Sequence, residues 1–281
     1  MKNAGWLFYR DYYKSLQSGA EGMSRLESFV KNGHLRINNE PKDKVFFKTE
    51  SDELLGFAWN DSQNKYFAKD NLQSFQFETT YPGLLVGSGY SHQTGSMGEF
   101  KSGFFFDHTT GLPVIPGSSV KGLLRSAFPN EEKREGVKKM KTEFVKGMLT
   151  SIRTELANIN ISTLEDLIFT GMQPNSDKYE PMHKHDVFHD AFIVATSNEN
   201  KGKIFGEDYI TPHFDPLKNP IPVRFMKILP GVTFQFNFDL KDSEVSNLRL
   251  GASEKCELFN KIILLFGIGA KTNVGYGQFV Q

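Results

Sequence analysis

The sequence predicts an α+β fold whose elements follow in the order strand, helix, strand, strand, helix, strand, which is the ferredoxin-like order with insertions. Three observations predict it. Phenylalanines alternate in two segments, Phe75 and Phe77 in one and Phe234, Phe236 and Phe238 in the other, the period of a half-buried strand. Ser253 to Phe266 sets Leu258, Phe259, Ile262, Ile263 and Phe266 at helical spacing and stops at Gly267, a helix-ending residue. Pro113 and Pro116 give way to helical spacing from Gly117, which places a further helix between the two phenylalanine strands.

Composition excludes several classes. With 33 Lys+Arg against 33 Asp+Glu the 281-residue chain has no net charge, so it is not a globally basic nucleic-acid binder. The longest apolar run, Ile262 to Ala270, falls far short of the roughly 20 residues that span a bilayer. Met1, Lys2, Asn3 and Ala4 lack the basic-then-apolar order of a signal peptide, which predicts a cytoplasmic protein. One cysteine, Cys256, allows neither an internal disulfide nor a cysteine-rich zinc site. The 26 phenylalanines and 25 glycines suit aromatic strands joined by tight turns.

Along the chain, Trp6, Tyr9, Tyr13 and Leu16 share one helical face, predicting a helix over Leu7 to Gln17. Residues 31–70 are polar and aperiodic, so residues 1–70 read as an N-terminal helix with a variable extension. Residues 71–281 read as a single domain. Its first strand, Gln73 to Glu78, ends at Tyr81-Pro82-Gly83, and a five-glycine loop, Gly87 to Gly103, precedes a short strand at Phe104 to Phe106. Ser118 or Ser119 would cap the helix that follows. Val137, Met140, Phe144, Met148, Ile152 and Leu156 then form an apolar stripe. Ser162 and Glu165 make a capping-box pattern ahead of a helix ending at Gly171, so residues 131–171 read as a helical insertion or lid. Strands are predicted at Val187 to Ala195, Arg224 to Leu229 and Thr233 to Leu240, with a long polar loop over residues 197–222. A glycine-rich loop and a last strand, Tyr276 to Val280, follow the final helix.

Two segments carry donors for an anion. Gly267 to Gly277, GIGAKTNVGYG, is neither a Walker loop, because Ala270 precedes Lys271, nor a dinucleotide fingerprint, because the third glycine is misplaced. Its glycines nonetheless allow a ligand's backbone to approach, beside Lys271, Thr272 and Asn273. The plainer alternative is that they shape tight turns. Gly117 to Arg125 offers helix-start amides, two serines, and Lys121 and Arg125 four residues apart, and residues 111–128 hold no acid. An ordinary capped helix with solvated cations is the competing reading. His183, His185 and His189 would share one face of an extended strand, but neighbours on such a face stand about 6.5–7 Å apart and need ligate nothing; no metal or other cofactor is assigned. The alternating phenylalanines could stack bases, although core packing accounts for them better. Cys256 has no histidine near it in sequence and reads as structural.

The segment Gly111-Leu112-Pro113-Val114-Ile115-Pro116-Gly117-Ser118-Ser119-Val120-Lys121-Gly122 with Arg125, joined to Gly267 to Gly277, resembles the RAMP superfamily of CRISPR effector subunits. Asp190-Ala191-Phe192, Asp208 to Phe214 and Pro222 to Phe225 are similar to the sixth RAMP subunits of type III-B (Cmr) complexes. The resemblance implies a ferredoxin-like, RRM-related RAMP palm that binds RNA without catalysis near the 3′ end of the guide. By position, Gly117, Ser118, Ser119, Lys121 and Arg125 would contact the guide's sugar-phosphate backbone. Gly269, Lys271, Thr272 and Asn273 would line the same surface, and His92 and Gln93 would lie beside RNA or a neighbouring subunit. The implied partners are guide (CRISPR) RNA, target RNA and other RAMP subunits of the Cmr complex, especially the backbone subunit and the terminal RAMP subunit; no membrane is implied. RNA-cutting backbone subunits use an aspartate in an early palm loop, where this chain has only Glu99, so no slicing is expected. The alternatives are a guide-processing endonuclease using His34 or His92, and a purely structural scaffold.

Overall fold

Cross-strand phenylalanine pairs hold the central sheet together. In a computed structural model, which describes residues 3–9, 51–59, 72–87, 104–173, 178–210, 222–245 and 247–281, β1 (Gln73–Thr79) runs antiparallel to β7 (Val232–Asp239). Phe75 faces Phe236 and Phe77 faces Phe234 across this pair. Beyond β7 lie β4 (Ala191–Thr196) and β2 (Val114–Ile115), and on the far side of β1 lies β10 (Phe279–Val280). β3 (Val187–Phe188) pairs with the end of β7. The sheet order β10-β1-β7-β4-β2 contains the four ferredoxin-like strands as last, first, third and second.

Two helices cover the phenylalanine face. α2 (Gly117–Ser126) buries Val120 and Leu124, and α5 (Ala252–Phe266) buries Leu258, Phe259, Ile262 and Ile263. The Phe75 and Phe236 rings stack at 5.5 Å, and Phe238 meets Phe259 at the same distance. Phe234, Phe236 and Phe238 are at most 1% exposed, so these rings are core and offer no base-stacking surface. Each such ring contributes about 1.5–3 kcal/mol by leaving water. On the opposite face Ser74, Gln76 and Glu78 are open to solvent.

The insertion packs against the rest of the domain. α3 (Glu135–Ile152) buries Val145 and Leu149, while Met140, expected on the apolar stripe, is exposed. Phe144 reaches α5 through Phe266, at 5.4 Å between ring centroids. α4 (Ile161–Phe169) is capped by Asn160, whose side chain accepts from the Thr163 amide at 3.1 Å. The expected Ser162–Glu165 capping box is absent because Glu165 points inward to accept from the Asn130 amide at 2.7 Å.

Within the polar stretch expected as a loop, the described residues 197–210 hold a strand. This is β5 (Phe205–Ile210), which forms a hairpin with β6 (Val223–Ile228). Phe205 anchors this hairpin to Phe57, Phe104 and Phe106, and Phe106 meets Phe8 of α1 (Ala4–Tyr9) at 5.2 Å. In α1 the buried face is Ala4, Leu7 and Phe8, whereas Trp6 points to solvent; the rest of the expected helix, residues 10–17, lies outside the described residues. Phe104 to Phe106 forms only an isolated bridge between Phe106 and Pro113, and β3 and β4 split the single strand expected at Val187 to Ala195. A small hairpin of β8 (Ser243–Val245) and β9 (Leu248–Leu250) has no counterpart in the sequence reading. Among the described residues no helix is long and apolar enough to cross a membrane.

Inside this core sits an ion pair. Lys255 Nζ lies 2.5 Å from Asp186 Oδ2, both side chains at most 2% exposed, and Asp186 Oδ1 accepts from the Lys241 amide at 2.7 Å. Burial pushes the Asp186 carboxyl up and the Lys255 ammonium down, and each is opposed by the other's charge. Lys255→Met is expected to cost about 3–5 kcal/mol in denaturant unfolding, because it strands a buried carboxylate. Adding Asp186→Asn should recover most of that loss. The stranded carboxyl has a folded pKa above its unfolded value, so the deficit of the single variant grows as pH rises past the ordinary carboxylate range and shrinks on acidification. A deficit independent of pH would show that lost packing, not the stranded charge, destabilises the variant.

A second test concerns glycine. Gly277 has φ +69°, and a Cβ there would lie 1.9 Å from the Ile268 carbonyl oxygen; Gly147, in the middle of α3, faces open space. Gly277→Ala should destabilise by about 2 kcal/mol or more, whereas Gly147→Ala should stabilise by up to about 1 kcal/mol, both read from thermal unfolding.

Candidate functional site

The two glycine segments, at opposite ends of the domain's sequence, meet on one groove of about 540 Å³. One wall is the start of α2, with Ser118, Ser119 and Leu123; the other is the chain after α5, with Gly267, Ile268, Gly269, Ala270 and Thr272. Phe105, Ile115 and Val86 form the apolar floor. Antiparallel pairing produces this meeting, because β2 leads into α2 beside β4, while the last helix returns across the same sheet face toward β1 and β10.

Each wall is shaped by close backbone approach. Gly117 fits against the Phe188 carbonyl oxygen, which a Cβ would meet at 2.2 Å. Its amide donates to Asp190 Oδ1 at 2.7 Å, so a carboxylate from across the sheet, not a serine, serves the helix start. The cap position is Pro116 and makes no side-chain hydrogen bond, and Ser118 and Ser119 are exposed where they line the groove. Across from them Gly269 has φ +97°, and a Cβ there would meet the Leu85 carbonyl oxygen at 2.3 Å. Gly267, at φ +66°, ends α5 where a Cβ would meet the Gly277 carbonyl oxygen at 2.5 Å. The amides of Ile268, Ala270 and Gly277 are spent on Gly277, Leu85 and Gly83 carbonyls at 2.8–2.9 Å. The glycines thus make tight turns, as the plainer reading held, and the same turns leave Gly269, Ala270, Lys271 and Asn273 exposed at the rim.

The electrostatics differ from those expected. No charged side chain lines the groove among the described residues. Arg125 pairs with Glu131 at 3.1 Å and faces the buried carboxylate of Glu165 at 3.7 Å, so its charge is committed inside the protein. Burial pushes the Glu165 carboxyl up, while the Asn130 amide and Arg125 pull it down. Residues 111–128 hold no acid in sequence, but folding brings Glu131, Glu165 and Asp190 to them. Lys121 is half-buried with its ammonium 5.7 Å from the centre of the Phe188 ring. Lys271 is exposed in a left-handed conformation, φ 61° and ψ 32°, at the start of the Thr272–Val274 turn. His92 and Gln93 lie outside the described residues, as does His34.

The remaining candidates are structural. His183 belongs to the short helical turn Met182–Lys184, and His185 Nε2 lies 2.7 Å from the Glu180 carbonyl oxygen, so the three histidines do not share a strand face. Burial pushes the Cys256 thiol up to about 11, as befits packing against the core.

Sequence reasoning missed one cluster beside the groove. Asp208 accepts from Lys227 Nζ at 2.8 Å and from the Tyr276 hydroxyl at 2.7 Å. Burial alone would raise the Asp208 carboxyl; these two donors and the Tyr209 amide outweigh it and hold the group below its ordinary range. The same bond and burial push the Tyr276 phenol up. The hairpin β5–β6 is thereby tied to the glycine loop. The segment Asp208-Tyr209 was visible as a motif, but nothing in the sequence links it to Tyr276.

A family model of the RAMP superfamily matches residues 76–280. The CRISPR system CMR subunit Cmr6 of Saccharolobus solfataricus is 26% identical over 267 residues, 87% of this chain and 76% of its own length. The fold is similar to a chain of the type III-B Cmr-beta complex bound to cognate target RNA, solved by cryo-EM, with a TM-score of 0.55 and 22% identity over 98% of this chain and 95% of that one. Cmr6 from Pyrococcus furiosus aligns with a TM-score of 0.42 and 20% identity over 76% of this chain and 99% of that one. The family match runs from within β1 to the end of β10 and so takes in the whole sheet and both glycine segments: the chain belongs to the RAMP superfamily.

Proposed function

We propose that the chain is a non-catalytic RNA-binding subunit of a type III-B CRISPR effector complex, contacting the guide RNA toward its 3′ end and the guide–target duplex. The meeting of the two glycine segments on one groove carries this reading. Exposed serine hydroxyls on one wall and uncovered backbone on the other suit a sugar-phosphate chain, which hydroxyls and amides position without reading sequence. The similarity to Cmr6 of Saccharolobus solfataricus supports membership of a Cmr complex, with guide RNA, target RNA and neighbouring RAMP subunits, the backbone and terminal ones, as partners.

The chain has no net charge and its groove no charged lining among the described residues, so its own phosphate affinity is small. Affinity then arises from assembly, where several subunits share one RNA and each contact benefits from the others' effective concentration. The same neutrality favours a second reading, a scaffold whose glycine turns only shape subunit interfaces.

Co-expression with and without the other type III-B subunits and a guide RNA, with the tag on this chain, separates these readings. Guide RNA and subunits should copurify only from the full mixture. In that complex Ser119→Glu or Lys271→Glu should reduce retained guide RNA several-fold relative to Cys256→Ser, and Lys121→Glu should do so to a lesser degree, because its ammonium sits over Phe188. Intact subunit assembly with undiminished RNA in all three would favour the scaffold. Trimmed repeat RNA recovered with the lone chain would establish a processing nuclease instead.

A further inference from the structure

The turn after β1 presents one aromatic ring almost wholly to solvent. Tyr81 is 83% exposed, more than any other large hydrophobic side chain among the described residues. The turn that carries it is fixed: the Gly83 amide donates to the Thr80 carbonyl at 2.8 Å, and Gly83 sits so close to Ile228 that a Cβ would meet the latter's carbonyl oxygen at 2.2 Å. Lys227 passes beneath this glycine, its Cδ 3.5 Å from where that Cβ would be. Its ammonium lies 5.9 Å from the centres of both the Tyr81 and Tyr276 rings, held there by Asp208 at 2.8 Å. A cation fixed between two rings orients the exposed one without covering it.

The position continues the groove. Tyr276 belongs to the Gly267–Gly277 loop, and Gly275 of that loop approaches Pro82, with its notional Cβ 3.5 Å from Pro82 Cδ. The loop that bears the exposed backbone at Gly269 thus reaches, at Gly275, the residue next to Tyr81, and shares Lys227 with it through Tyr276. We propose that Tyr81 is a stacking platform for an unpaired RNA base, with Lys227, Tyr276 and Asp208 as the residues that position it. This rests on the RNA-binding reading of the groove and adds to it a contact of a different kind. A π-face accepts any base and adds affinity that phosphate contacts from a neutral surface lack. A protein partner is less well matched, because interface cores are apolar and depleted of charge, whereas this ring is flanked by the Lys227 ammonium.

The test uses the assembled complex loaded with guide RNA containing 4-thiouridine, with crosslinked peptides mapped by mass spectrometry and RNA residence followed at low and high salt. Wild type should crosslink at Tyr81 and in the groove. Tyr81→Ala should remove the first crosslink and shorten RNA residence by roughly tenfold, an effect that persists at high salt because stacking releases no counterions; Tyr81→Trp and Tyr81→Phe should retain the wild-type residence. Unchanged residence in Tyr81→Ala, with groove crosslinks intact, would overturn the platform and leave the groove reading standing. Absence of RNA crosslinks at both places would overturn the groove reading as well. A photoreactive amino acid at position 81 that captures a neighbouring subunit instead of RNA would reassign the ring to a protein contact.

Discussion

No side chain fits where the chain leaving the last helix crosses the end of the first strand. At Gly267, Gly269 and Gly277 an added Cβ would lie between 1.9 and 2.5 Å from a carbonyl oxygen, of Gly277, Leu85 and Ile268 in turn, and all three have positive φ. Backbone thus packs on backbone, and the bonds Ile268 to Gly277, Ala270 to Leu85 and Gly277 to Gly83 become possible. Those bonds set how far α5 stands from β1, and hence the width of the groove opposite α2. They also set the position of Tyr276, which ties the β5–β6 hairpin down through Asp208. A conformational requirement at three residues therefore propagates to the sheet edge, the groove and the outer hairpin.

Charge is used differently. The carboxylates that matter most for the fold are each committed to a donor brought from far away in sequence: Asp190 to the Gly117 amide, Glu165 to the Asn130 amide and Arg125, Asp186 to Lys255 and the Lys241 amide, Asp208 to Lys227 and Tyr276. Buried charges without such partners would cost several kcal/mol each. One consequence is that cations which look available in sequence are already neutralised, Arg125 above all. What remains at the rim is a short set of exposed groups, two serines and Lys271.

The parts of the fold legible in the sequence are those set by local periodicity. The phenylalanine alternation of β1 and β7 and the stripe of α5 need no distant information, because burying one face is what makes those residues a strand or a helix. Gly267 was legible for the same reason, as a stop. Illegible were the features decided by a partner remote in sequence. Ser118 or Ser119 looked like the cap of α2, but Asp190 takes that role across a sheet pairing. Met140 sits at helical spacing with Phe144, yet α3 buries Val145 and Leu149 and leaves Met140 in solvent. β5 hides in a polar stretch since an edge strand can leave Glu207 and Tyr209 in solvent while Phe205 is its one buried residue. The two glycine segments were each visible; that they share one groove follows only from the strand order.

A neutral groove also bears on what kind of recognition this surface supports. Nucleic-acid affinity built on phosphate neutralisation weakens steeply as salt rises, and a chain with equal numbers of acids and bases has little of it to lose. Hydroxyls, exposed backbone and an oriented aromatic ring act through shape and stacking, which discriminate geometry while remaining indifferent to sequence. On the proposed reading such a surface would bind weakly alone and selectively within an assembly, where neighbours would supply the charge and fix the path of the RNA. On that reading the glycine crossing would serve recognition as well as folding, since a side chain at any of its three positions would disturb the backbone contacts that shape the loop wall of the groove.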